Sequence, residues 1–296
     1  MLYIEPIAGP GPFVHFIEEA RGPIDINVYY LNSRLILRAV AAARRRREPV
    51  NVIIDGRPYR MSHRLVTKEI ARIKATGAKV KAAPPRFDRA FRFDHAKYAV
   101  TTGKALIGTA NWDYSAFHRN REYVLTTSDP PLVRALHIVF QDDWHKRQVG
   151  AWAREIAPRL VLSPGSKSKV VAVLCQPGRI EMETEEMGSD PALLRELERK
   201  GADAKVIVPG RQSRRDARNV DRLRHAGVQV RELPVRPIYM HAKMIVGDRV
   251  GFIGSENTST ASLNHNREVG VILDKPAQLA RLRHWFALDW GAARRP

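Results

Sequence analysis

Short apolar runs alternate with stretches in which apolar residues recur every three or four positions. Ile24 to Leu31 is rich in β-branched and aromatic residues and predicts a strand. Leu35 to Arg47 predicts a helix whose last turn carries Arg44 to Arg47, favourable beside the negative end of the helix dipole. Val50 to Ile54 predicts a strand closed by Asp55-Gly56, and Leu65 to Ala75 a helix stopped by Gly77. Val80 to Ala83, Lys97 to Thr101 and Ala105 to Ile107 read as strands, the last two around Gly103-Lys104. Pro131 to Gln148 reads as an amphipathic helix. Alternating β and α segments predict a sheet covered by helices on both faces.

The pattern occurs twice. At an offset of 146, residues 95–144 align with 241–290 without a gap, with 15 identities in 50 positions. The matches carry chemistry: His95/His241, Lys97/Lys243, Gly108/Gly254, Asn111/Asn257, Asn120-Arg121-Glu122 against Asn266-Arg267-Glu268, and Asp143-Trp144 against Asp289-Trp290. Upstream, Val52 to Arg57 answers Val206 to Arg211, and Gly77 to Val80 answers Gly227 to Val230. The expected organisation is a first repeat over 1–157, a linker over 158–169 containing Ser163-Pro164-Gly165-Ser166, and a second repeat over 170–296. Two such units can pair about a pseudo-two-fold axis and bring repeated residues together, so one chain suffices as a monomer.

Composition changes the picture through charge. The 296 residues include 50 Lys and Arg against 31 Asp and Glu, a net +19, which draws the chain toward polyanions such as nucleic acid or an anionic phospholipid surface. Hydrophobic residues make up 44%, enough for a core in each half and too many for a disordered chain. The single cysteine, Cys175, forbids an intramolecular disulfide and, after the apolar run Val170 to Leu174, is expected to be a buried, inert thiol. The N-terminus has no basic segment followed by an unbroken apolar core, and no window reaches 18 apolar residues. A cytoplasmic location without a transmembrane segment is the expectation.

On a strand, residues i and i+2 share a face, so each H-A-K presents an imidazole beside an ammonium. Lysine repels a cation, and the chain has neither a Cys cluster nor an H-E-x-x-H motif, so no metal or other cofactor is expected. A phosphodiester fits. Lys97, Lys243, Asn111 and Asn257 could hold its oxygens, one imidazole could attack phosphorus, and the other could protonate the departing oxygen. Each histidine then needs one ring nitrogen held by a carboxylate. Glu122 and Glu268, each 27 residues after its own histidine, are assigned that role. Thr109 and Ser255 could donate hydroxyls to phosphate or simply satisfy a turn.

These residues resemble the phospholipase D superfamily, whose motif is H-x-K-x4-D followed by a Gly-Gly/Ser-x-Asn element. His241 to Asn257 follows it closely; His95 to Asn111 departs at Thr102, where the family has Asp. The resemblance implies two pseudo-symmetric α/β/α sandwich repeats, each a mixed sheet flanked by helices, with one active site at their junction. It implies metal-independent phosphodiesterase or transfer chemistry through a phosphohistidine, with His95 as nucleophile, His241 as general acid and Asp248 as supporting structure.

The substrate must be read from the flanks. Gly77 to His95 is four residues longer than Gly227 to His241 and holds Arg86, Phe87, Arg89, Phe91, Arg92 and Phe93. Arginines interleaved with phenylalanines suit nucleic-acid backbones and bases, or lipid phosphates and acyl chains, or a core with a solvated face. Tyr239 precedes the second motif and joins the candidate substrate-binding set. Arg211, Arg214, Arg215, Arg218 and Arg222 recur at helical spacing and offer a polyanion track or a solvated face. Compactness and charge tilt the expectation slightly toward a nuclease, with phospholipid hydrolysis or headgroup transfer next and a non-catalytic polyanion-binding module last.

Overall fold

The computed structural model describes residues 1–294. The first sheet contains β1 (Leu2–Glu5), β2 (Ile24–Val28), β3 (Val50–Ile54), β4 (Lys79–Ala82), β5 (Lys97–Thr101), β6 (Ala105–Gly108) and β7 (Asn120–Thr127), ordered β1-β7-β6-β5-β2-β3-β4. The second contains β8 (Leu160–Ser163), β9 (Ile180–Thr184), β10 (Ala204–Pro209), β11 (Gln229–Leu233), β13 (Lys243–Val246), β14 (Gly251–Gly254) and β15 (Glu268–Leu273). Read from β8 its order is β8-β15-β14-β13-β9-β10-β11, the same topology element for element. Each sheet is mixed, with parallel β2-β3-β4 or β9-β10-β11 and antiparallel partners beyond. A short β12 (Tyr239–Met240) leaves the second half and pairs in parallel with β7 of the first.

Side-chain alternation divides the core into three. Ile24, Ile26, Val28, Val52, Ile54, Ala99, Leu106 and Val124 face outward, under the helices Gly11–Glu18 and Arg34–Arg45. The corresponding face of the second sheet packs Met182, Val206, Ile245 and Phe252 under Lys167–Cys175 and Pro191–Lys200. The residues between them, such as Tyr98, Ile107, Tyr123, Met244 and Val269, form one apolar cluster common to both halves, with helices Pro130–Trp144 and Pro276–Ala292. Burying both faces of each sheet explains the near-continuous apolar runs in the sequence.

Two expectations need correction. No free linker occupies 158–169: Leu160–Ser163 is a strand of the second sheet, hydrogen-bonded to β15, and Lys167 begins a helix. Its apolar residues make it the counterpart of β1, which the turn-rich Ser-Pro-Gly-Ser disguised. Cys175 is exposed, at the C-terminal end of its helix, because the inward stripe there falls on Val170, Val173 and Leu174. Arg295 and Pro296, placed in the second repeat, lie outside the described residues.

The halves are fastened by two buried, exchanged ion pairs. Arg121 Nη2 donates to Asp289 Oδ1 at 2.8 Å, and Arg267 Nε donates to Asp143 Oδ2 at 2.7 Å. Each arginine thus grips the last long helix of the opposite half. Each also caps the end of its own sheet's outer strand: Arg121 Nη1 bonds Glu5 O at 2.7 Å and Arg267 Nη1 bonds Ser163 O at 2.6 Å. Aromatic rings cover both guanidinium groups, Trp285 over Arg121 and Phe87 over Arg267. Removing one partner of a buried pair strands the other charge, so Arg267→Met should lower unfolding free energy by about 3–5 kcal/mol in urea denaturation. The double variant Arg267→Met/Asp143→Leu should recover a substantial part of that loss.

Candidate active site

His95 and His241 each lie just before a strand of their sheet, β5 and β13. Their carboxylate partners are crossed. His95 Nδ1 lies 2.9 Å from Glu268 Oε2, and His241 Nδ1 lies 2.7 Å from Glu122 Oε1. The sequence assigned each glutamate to the histidine of its own repeat; the structure exchanges them, because β7 and β15 meet the opposite half along their starting residues. Tyr239 N–H donates to Arg119 O at 2.7 Å, and reciprocally Arg267 N–H donates to Phe93 O at 2.9 Å and His95 N–H to Arg267 O at 2.8 Å.

The two carboxylates are fully buried and similarly braced. Glu122 accepts from Thr109 Oγ1 at 2.6 Å and Asn120 Nδ2 at 3.1 Å. Glu268 accepts from Ser262 Oγ at 2.6 Å and Asn266 Nδ2 at 3.1 Å. Thr109 therefore serves a carboxylate, while Ser255 Oγ accepts from Val269 N at 2.9 Å; both hydroxyls are taken up inside the protein. Burial opposes the charge on Glu268, but His95 outweighs it and holds this carboxyl below its ordinary range. His95 itself is lowered, mainly by burial, despite that carboxylate. The His241–Glu122 contact is too bent to count as a hydrogen bond.

The lysines sit one residue further on the same face. Lys97 Nζ donates to His95 O and Lys243 Nζ to His241 O, both at 2.7 Å. Both are almost wholly buried. Burial pushes the Lys97 ammonium down to about 7, with Lys243 adding repulsion and Glu268 opposing. Among the described residues the amide oxygens of Asn111 and Asn257 are buried without partners. The field acting on each member comes from both halves: Lys97 feels Lys243, and His95 feels Lys243, so the repeated residues form one cluster.

A residue that the sequence comparison passed over joins them. Glu185, directly after β9, has Oε2 at 2.6 Å from Lys243 Nζ and 3.4 Å from His241 Nε2. Burial would raise this carboxyl, but His241 and Lys243 outweigh it and bring it to about 2. Its structural counterpart is Tyr29, after β2; the two backbones bond identically, Tyr29 N to Ala96 O and Glu185 N to Ala242 O. Tyr29 lays its ring 4.7 Å from His95, and its hydroxyl oxygen accepts from Tyr59 N–H at 2.6 Å. Because the two residues differ, identity between repeats could not reveal them.

Other expected site residues lie elsewhere. Asp248 is exposed in the turn between β13 and β14, at the opposite end of the strand from Lys243. Thr102 occupies the matching exposed turn after β5, which is why losing the aspartate there leaves the cluster intact. Arg86 is bound to Asp143 at 2.6 Å and Phe87 is buried under the Arg267 guanidinium, so neither is free to meet substrate. Arg89, Phe91 and Arg92 are exposed. Phe93 packs against Tyr29 and Tyr59, and Tyr239 lies 6.5 Å from the His241 ring. Arg214, Arg215, Arg218 and Arg222 are exposed on the helix Arg214–His225, with Arg211 in the loop before it and Arg222 paired with Glu198. Among the described residues no helix is long and apolar enough to cross a membrane.

The family described as "Cardiolipin synthase, PLD-like domain" matches residues 13–144 and 180–290, most of the chain. A mitochondrial cardiolipin hydrolase from Xenopus laevis is 28% identical over 128 residues, 43% of this chain and 57% of the relative, and its Xenopus tropicalis counterpart is 27% identical over the same length. The match thus spans little more than half of those relatives. Two solved structures share the fold: polyphosphate kinase from Porphyromonas gingivalis, TM-score 0.72, 15% identity, 98% of this chain and 50% of that one; and phosphatidylserine synthase from Haemophilus influenzae, TM-score 0.70, 12% identity, 95% and 83%.

The lowered lysine makes anion binding pH-dependent. Lys97 is cationic below about 7 and loses its charge above it. A dialkyl phosphate, singly charged throughout, should therefore bind progressively more weakly as pH rises from 6 to 9, measured by calorimetry. Lys97→Arg, which cannot deprotonate in this range, should flatten the profile.

Proposed function

The chain belongs to the phospholipase D-like family, and on that premise we propose that it is a metal-independent phosphodiesterase working through a phosphohistidine. The observation that carries this reading is the crossed pairing of His95 with Glu268 and His241 with Glu122. A carboxylate at each Nδ1 leaves Nε2 as the nitrogen free for chemistry. Among the described residues His95 meets a carboxylate only through Nδ1, suiting Nε2 to attack phosphorus. His241 Nε2 faces Glu185, which suits it to carry a proton.

In the first step His95 Nε2 bonds to phosphorus, the bond to the departing alkoxide breaks, and His241 Nε2 protonates that oxygen. Lys97, Lys243 and the side-chain amides of Asn111 and Asn257 offset the charge on the non-bridging oxygens. Water then attacks, its proton passes to His241, and the phosphorus–nitrogen bond breaks with its electron pair returning to His95.

For substrate class, a phospholipid-type phosphodiester is the first reading. It draws on the cardiolipin relatives and on the exposed group Arg89, Phe91 and Arg92, in which Phe91 is 76% exposed and fit to enter an anionic lipid surface. The expectation from sequence favoured nucleic acid, partly through Arg86 and Phe87, which are structural. Nucleic acid remains the second reading because exposed Arg57, Arg60 and Arg64 of the first half recur at the same sequence offset as exposed Arg211, Arg214 and Arg218 of the second, a doubled basic surface.

Hydrolysis of bis(4-nitrophenyl) phosphate should persist in excess chelator and vanish in His95→Ala. His241→Ala should slow turnover of dialkyl phosphates by roughly 10²–10⁴-fold, and nitrophenyl esters, whose leaving group needs no proton, far less. Head-alcohol release from anionic liposomes with DNA untouched is the expected substrate result; DNA cleavage that falls steeply with salt and leaves liposomes intact would reverse the order.

A further inference from the structure

The two halves repeat their catalytic groups but differ at a position directly beside them. Where the first half has Tyr29, the second has Glu185, bonded to Lys243 at 2.6 Å and 3.4 Å from His241 Nε2. That substitution alters the charge count of the cleft. Lys97 and Lys243 supply two positive charges at most; Glu122, Glu268 and Glu185 supply three negative ones. With His241 protonated for the first step these charges balance, and an incoming phosphodiester leaves one negative charge in excess. Tyrosine at both positions would have left one positive charge for the phosphodiester to match, a plain anion site. Uncompensated charge in a dry site is costly, so the cleft as built calls for a cation on the His241 side.

The surroundings extend this asymmetry. Glu186 and Asp113 lie close enough to couple electrostatically to Glu185 and His241 respectively. Beside His95 the ring of Tyr29 lies 4.7 Å away with Phe93 packed behind it, and the carboxyls of Asp55 and Glu256 couple to Lys97 further in. Directly beside the imidazoles, the His241 side carries a carboxylate and the His95 side a ring. His241 is also the residue that handles the proton of whichever alcohol leaves or attacks.

We propose that Glu185 is a specificity-determining residue, which selects, on the His241 side of the cleft, an alcohol carrying a protonated amine. This rests on the phosphohistidine reading. In the transfer step the alcohol oxygen bonds to phosphorus, its proton passes to His241 Nε2, and the phosphorus–nitrogen bond breaks with the electron pair returning to His95. The ammonium of the same alcohol takes a share of the Glu185 carboxylate and leaves Lys243 freer for a phosphate oxygen.

The test lets the phosphohistidine formed from bis(4-nitrophenyl) phosphate partition between two acceptors. Equal concentrations of ethanolamine and propan-1-ol, near neutral pH where the amine is protonated, compete for it, and the two transfer products are quantified by mass spectrometry. The wild-type protein should favour the ethanolamine product by roughly tenfold, the worth of a hydrogen bond to a charged group. Glu185→Gln and Glu185→Tyr should bring the product ratio close to one, and Glu185→Asp should keep the preference. A purely structural role would change total turnover and leave the ratio alone. Equal products from the wild-type protein, or an undiminished preference in Glu185→Gln, would overturn the assignment while leaving the phosphohistidine mechanism standing. Absence of any turnover by the wild-type protein would instead overturn that mechanism, and this assignment with it.

Discussion

The crossing of Asn-Arg-Glu between the halves is the constraint on which everything else depends. Asn120, Arg121 and Glu122 occupy successive positions at the start of β7, so alternation sends Asn120 and Glu122 to one face and Arg121 to the other. Arg121 takes Asp289 of the opposite half, and Glu122 takes His241 of the opposite half. Asn266, Arg267 and Glu268 return the same contacts to Asp143 and His95. One three-residue segment therefore both locks the halves and sets an imidazole. The energetics are those of buried charge: each group is excluded from water, and its partner comes from across the interface.

This arrangement couples precision at the site to the integrity of the core. The arginines sit among Phe87, Trp285 and the long helices, in the apolar layer common to both sheets. The glutamates sit one residue further, braced by amides and hydroxyls whose positions follow from the same strands. A shift of one sheet against the other would misplace both histidine–carboxylate contacts together. The rigid interface thus does for the cleft what a bound ligand would otherwise have to do: it fixes two rings before substrate arrives.

Much of this was legible in the sequence, and the limits have physical causes. Self-comparison revealed the duplicated histidines, lysines, asparagines and glutamates because chemistry held them alike in both halves. It could not reveal the crossing, since a constant spacing of 27 residues is the same whichever histidine receives the carboxylate. The strand Leu160–Ser163 was hidden by its turn-forming neighbours, and the structural duty of Arg86 and Phe87 by their likeness to a ligand-binding segment. Thr102 and Asp248 mark the far end of their strands, a place that adjacency in a motif does not disclose. Tyr29 and Glu185 escaped because duplication searches reward sameness.

Having both halves on one polypeptide has an evolutionary consequence. A lone half would contain a histidine and a glutamate that cannot reach each other, and could be completed only by a second, identical copy. Every change in such a homodimer would appear on both sides of the cleft at once. Fusion removes that obligation. The position held by Tyr29 on one side and Glu185 on the other is a choice that two identical copies could never make, and it gives the cleft a direction.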